Sequence, residues 1–188
     1  MALVENLYIY VIDGSEGFWS NPVDWVDSAF TIGDITVTSV TDMVDKVLKV
    51  VGSRHIQNLF IGGHGDSGWQ SVGAGSGDDL TGSKSLQVDP KTGLLLGPAE
   101  TQLRRFRGKF SAKDPVCTLG GCLVAKGTAG SALLKAVSSA LGGIPAQGGT
   151  SNQRPLVPGL EGDVIRCTPS ACHSMGHSWW ASPGSWVQ

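Results

Sequence analysis

One histidine and one cysteine in this chain stand where covalent chemistry could be done. His64 lies in Gly62-Gly63-His64-Gly65 and Cys122 in Gly120-Gly121-Cys122, 122 − 64 = 58 residues apart. A cysteine nucleophile needs a thiolate and a base that can take and return its proton, the two being near in space though not in sequence. The flanking glycines fit the same chemistry, because a backbone without side chains lets a substrate come close. The N–H groups of Gly65 and Cys122 could then hold the oxyanion of a tetrahedral intermediate. The ordinary alternatives are a small buried apolar residue for Cys122 and a core histidine for His64.

The elements around them predict where both residues sit. Leu7 to Ile12 is short, aromatic and β-branched, ends at Asp13-Gly14 and reads as a buried strand. Gly14 to Asn21, with Trp19 and Trp25 nearby, reads as a loop, and Ile35 to Thr38 as a second strand. Thr41 or Asp42 is expected to cap a helix carrying Val44, Val47, Leu48 and Val51 and closing at Gly52. Ile56 to Ile61 is another strand, and His64 follows its C-terminal end. Asp66 to Thr81, rich in Gly, Ser and Asp, reads as a mobile surface loop. Leu86 to Leu96 looks like a hairpin turning at Asp89 to Gly93, and Pro98 opens a helix from Ala99 to Phe110. Val116 to Leu119 is a strand running into Cys122, followed by a helix from Ala129 to Leu141 and a strand at Ile144 to Gln147. Val164 to Cys167 reads as an edge strand or hairpin arm, and the Trp-rich tail from about residue 168 has no readable period. Strands alternating with helices predict an α/β fold with a mostly parallel sheet and helices on both faces, binding ligands beyond the strands' C-terminal ends. His64 and Cys122 both land on that edge.

Composition bounds the function. A chain of 188 residues is expected to form one domain and can bury roughly 70% of its unfolded surface. With 40% hydrophobic and 16% charged residues it is not a disordered chain. A net charge of −2, with a basic run only at Arg104, Arg105, Arg107 and Lys109, gives little reason to expect a nucleic-acid partner. The N-terminal apolar run, broken by Glu5 and Asn6, reads as neither signal peptide nor membrane span. Synthesis in the cytoplasm is expected, and export by a dedicated secretion machine stays open. Cys117, Cys122, Cys167 and Cys172 are read as thiols first, with a Cys167–Cys172 disulfide open outside the cell.

Strand-His-Gly followed by strand-Gly-Cys-helix resembles the caspase-haemoglobinase superfamily of cysteine peptidases, over about Leu7 to Gln147. The small bacterial versions, such as toxin self-processing protease domains, look most similar, on Leu119-Gly120-Gly121-Cys122, Lys126-Gly127 and Leu141 to Ala146. The Gln-Ala-Cys signature of caspases is replaced by Gly120-Gly121-Cys122, so a preference for cleaving after Asp is not carried over. The resemblance implies a caspase-like three-layer sandwich, a cofactor-free Cys122-His64 dyad, and a protein or peptide substrate. It further implies a bacterial effector or maturation protease. It places the substrate pocket at Asp13, Gly120, Gln147 and Ser151, with Asp13 facing a Lys or Arg or, alternatively, only capping its turn.

Other patterns carry less. Gly63-His64-Gly65-Asp66-Ser67-Gly68 matches a dinucleotide fingerprint but lacks the helix and distal acid it needs. Asp66 could orient His64 or merely form a turn. Cys167, Cys172, His173 and His177 could bind zinc, though their spacing is irregular for a zinc finger. A non-catalytic alternative remains, an α/β module that holds a partner protein through the glycine-rich loop and Trp-rich tail.

Overall fold

A computed structural model describes residues 6–15, 31–75, 79–153 and 160–178. The Trp-rich part of the tail and most of the loop bearing Trp19 and Trp25 lie outside these residues. The first strand, β1 (Asn6–Asp13), buries Leu7, Ile9 and Val11 fully and leaves Tyr8 and Ile12 half-buried, the alternation of a strand with one fully buried face. Next, β2 (Thr31–Val37) leads to α1 (Val40–Val51). The helix is capped by Ser39, whose hydroxyl accepts the Asp42 N–H at 3.1 Å, rather than by Thr41 or Asp42. Asp42 instead reaches back to the Thr38 N–H at 3.1 Å, so the two ends of the first turn satisfy each other.

β3 (His55–Gly62) then enters a segment that forms structure where a loop was expected. β4 (Gly65–Asp66), β5 (Trp69–Ser71) and β6 (Ser85–Gln87) make a small antiparallel sheet. Its polar composition hides a buried centre of Gln70, Ser71 and Val72. Val88 and Leu95 meet in a single antiparallel bridge beyond it, with the predicted turn at Asp89 to Gly93 between them. α2 (Ala99–Arg104) stops short of Phe110. Gly108, at φ 73°, turns the chain so that Phe110 bridges Ile56 while Phe106 and Phe110 stay buried.

After β7 (Val116–Leu119) come α3 (Gly127–Ala140), β8 (Ala146–Gly149), β9 (Gly162–Cys167) and β10 (Cys172–Ser178). The start of the tail is thus a hairpin arm on β9. β8 runs two residues later than expected, through Gly148 and Gly149. Turn propensity misreads these glycines, which are there because side chains would not fit: a Cβ on Gly148 would lie 2.6 Å from Val124 Cγ1.

The main sheet is mixed and mostly parallel, in the order β10-β9-β8-β7-β3-β1-β2. Strands β2, β1, β3, β7 and β8 pair in parallel, and β9 and β10 close the far edge antiparallel. Contacts of α1 with α2 and of α2 with α3 put the three described helices side by side. They pack on the face carrying Ile9, Val11, Leu59, Ile61, Cys117 and Leu119, which is the apolar core. The other face carries a polar row instead. Thr118 donates to Asn58 at 3.2 Å, Gln147 donates to Thr118 at 3.1 Å, and Arg166 donates twice to Gln147 Oε1, at 2.9 and 2.7 Å. No described helix is long and apolar enough to cross a membrane.

Candidate functional site

Adjacent parallel strands deliver the two candidate residues to one edge. β3 and β7 pair through Ile61 and Leu119, so the chain leaves both strands at the same level, toward His64 and Cys122. The two exits then touch. A Cβ built on Gly65 would lie 2.8 Å from the Gly121 Cα and 2.9 Å from the Cys122 nitrogen. One built on Gly121 would lie 2.8 Å from the Gly65 Cα and 3.0 Å from the His64 carbonyl oxygen. These glycines are required by close backbone approach. His64 and Cys122 are both half-buried.

Three ties hold the exits in register. Gln70, fully buried on β5, donates through Nε2 to the His64 carbonyl at 3.3 Å and accepts the Gly121 N–H on Oε1 at 2.8 Å. One amide thus bridges the histidine loop and the cysteine loop. Ser67 Oγ donates to the Lys126 carbonyl at 2.5 Å, and the Gly68 N–H to the Val124 carbonyl at 3.3 Å. Neither Gln70 nor Ser67 was found from the sequence; the only signal was the short Trp69-Gln70-Ser71-Val72 run among glycines. Gln70→Leu keeps the volume but leaves the Gly121 N–H without its acceptor, and is expected to lower stability by about 2 kcal/mol in urea denaturation.

The turn after the cysteine is strained. Leu123 has φ 56°, in the left-handed region that a branched residue rarely adopts, and its N–H donates to the Ser151 carbonyl at 2.9 Å. Among the described residues no acceptor engages the Cys122 N–H. The Gln153 N–H approaches the Cys122 sulfur at 3.2 Å.

The remaining candidates divide. Gly120 is buried beneath Phe60, whose ring would lie within 2.8 Å, at Cε1, of a Cβ there. Gln147 is fully buried and tied to Thr118 and Arg166 in the polar row. Ser151 is half-buried, and its carbonyl is occupied by Leu123 and by Gln153 Nε2 at 2.7 Å. Asp66 is exposed and accepts its neighbour's N–H, that of Ser67, at 2.7 Å, the local turn-forming role.

Asp13 is 1% exposed and engaged within the chain. Oδ1 accepts the Ser15 N–H at 2.9 Å and its hydroxyl at 2.5 Å; Oδ2 accepts the Ser71 hydroxyl and the Gly75 N–H at 3.1 Å. Burial pushes this carboxyl up, but the hydrogen bonds from Ser15 and Ser71 outweigh it and hold it below its ordinary value. These bonds cap its turn and anchor the small sheet to β1.

Cys167 and Cys172 face each other across the β9–β10 hairpin and form a disulfide, correcting their reading as thiols. Bonded sulfurs cannot serve as zinc ligands, and His177 lies 3.5 Å from Asp163 instead. Among the described residues no group of three or more His, Cys, Asp or Glu is placed to hold a metal. Free thiols remain at Cys117 and Cys122. Unreduced, unfolded protein is therefore expected to react with two equivalents of thiol reagent. Replacing both disulfide cysteines with Ser should cost about 2 kcal/mol, the entropy of so short a loop, read from the denaturation midpoint. Comparison with protein-family models, with curated proteins and with solved structures finds no match.

Proposed function

We propose that this chain is a cysteine peptidase of the caspase-haemoglobinase type, with Cys122 as nucleophile and His64 as its base. The observation that carries the reading is the contact between the His64-Gly65 and Gly121-Cys122 backbones at the ends of neighbouring parallel strands. The strained turn at Leu123 adds to it, because such backbone collects at functional turns. The described helices lie on one face of the sheet, and a three-layer sandwich with helices on the second face as well is part of the proposal.

In this reading the Cys122 thiolate attacks a peptide carbonyl and forms the S–C bond of a tetrahedral intermediate. The N–H groups of Gly65 and Cys122 hold its oxyanion. His64, protonated by the thiol, passes that proton to the leaving amine as the C–N bond breaks. Water, deprotonated by His64, then releases the acyl group and restores the thiol. The substrate is a protein or peptide, and a role as a bacterial effector or maturation protease is part of the proposal. Labelling by a peptidyl acyloxymethyl ketone tests it: wild-type protein is expected to label at Cys122, with Cys122→Ala and His64→Ala both losing the label. Equal labelling of the wild type and His64→Ala would remove the dyad.

A further inference from the structure

Cys122 Sγ is met by the chain itself. The Gln153 N–H donates to it at 3.2 Å, and the carbonyl oxygen of the same residue stands 3.8 Å away. Attack on a substrate needs its carbonyl carbon at about 3–3.5 Å from the nucleophile, along an open approach. The Gln153 peptide already fills one side of the sulfur at that range.

What holds this peptide there is its own side chain. Gln153 Nε2 donates to the Ser151 carbonyl at 2.7 Å and the Glu161 carbonyl at 3.2 Å, while Oε1 accepts the Glu161 N–H at 2.7 Å. One amide therefore ties Ser151 to Glu161. The Ser151 side is pinned to the nucleophile turn, through Leu123 to Ser151 at 2.9 Å and Ala125 to Gly149 at 3.1 Å. Gly149 leaves room for the amide, since a Cβ there would lie 2.5 Å from Nε2.

We propose that Gln153 is a latch: its side chain holds its own backbone N–H and carbonyl against Cys122 Sγ, and the thiol becomes available to a substrate when those three bonds give way. This rests on Cys122 being the reactive thiol, and it makes the held position of Gln153 a regulatory state of the same site. The three partners are main-chain groups of Ser151 and Glu161. Each bond contributes modestly, and losing all three shifts the closed-to-open balance by a factor of ten or more.

The test is the rate at which neutral iodoacetamide alkylates Cys122 in the intact, unreduced chain, followed by mass spectrometry. Cys117 is an internal control, because burial shields its thiol and pushes it up to about 12. Gln153→Ala is expected to label at Cys122 about tenfold faster than wild type, with Cys117 still protected. A rate within twofold of wild type, or slower, would overturn the latch; a slower rate would mean that Gln153 only steadies the thiolate. If the Ala variant exposes Cys117, Gln153→Glu takes its place. It retains an acceptor for the Glu161 N–H and loses both donors, so about threefold faster labelling is expected and an unchanged rate overturns the proposal. Peptide turnover is scored separately. Faster labelling without turnover in any variant would sink the peptidase reading and leave the latch standing, and unchanged labelling with turnover would do the reverse.

Discussion

His64→Ala is expected to lower the turnover of a cleavable peptide by two to four orders of magnitude, the usual range for losing a general acid-base group. Cys122→Ala should remove it altogether. Neither substitution should disturb the fold greatly, because both side chains are only half-buried and lie beyond the ends of β3 and β7. The ties that set the loops use Gln70, Ser67 and Gly68 together with backbone atoms of the two exits. Removing the imidazole or the sulfur leaves those bonds in place. Chemistry and stability should therefore separate, with a large fall in kcat and a denaturation midpoint close to wild type. Turnover in His64→Ala within tenfold of wild type would place the base elsewhere and end the dyad. A shifted midpoint with turnover lost in proportion would return both residues to a structural role.

Much of the frame was legible because hydrophobic runs carry their own boundaries. β1, β3 and β7 are short, apolar and closed by glycine or aspartate, and they appear within a residue or two of their predicted ends. Since His64 and Cys122 follow two of them directly, the edge they share could be read as well. What escaped was the part built by polar contacts. The segment from Asp66 to Ser71 has the composition of a loop, and its order comes from partners far along the chain. Gln70 finds Gly121, Ser71 finds Asp13, and Ser67 finds Lys126. No periodicity encodes such pairings. Gln153 is the same case, a polar residue in a glycine- and proline-rich stretch whose bonds reach Cys122 and Glu161. The disulfide was open as an alternative to free thiols, and spacing alone could not decide it: five residues become a bridge only because β9 and β10 face each other.

Asp13→Asn separates the anchor role from a substrate-facing one. In the anchor role the substitution keeps an oxygen for Ser15 but sets an amide N–H group against the Gly75 N–H, two donors with no acceptor between them. The cost at neutral pH is expected to be about 2–4 kcal/mol, because hydrogen bonds to a charged group are lost in a buried place. Its pH dependence has a definite sign. The folded carboxyl titrates below its ordinary value of 3.8, so the ionised form is favoured by folding. The stability it contributes is fully present above 3.8 and is lost as the pH falls through the lower folded value. Urea denaturation from pH 7 downward should therefore show a gap between wild type and Asp13→Asn that is constant to about pH 5 and closes in acid. A site that faced a basic substrate residue would behave differently. Asp13→Asn would then keep wild-type stability at every pH and lose only cleavage after Lys or Arg. Because the carboxylate also holds Ser71 beside Gln70, and Gln70 holds His64 against Gly121, the anchored reading predicts coupled losses: turnover of every peptide should fall with the weakened fold, regardless of the residue at the cleavage point.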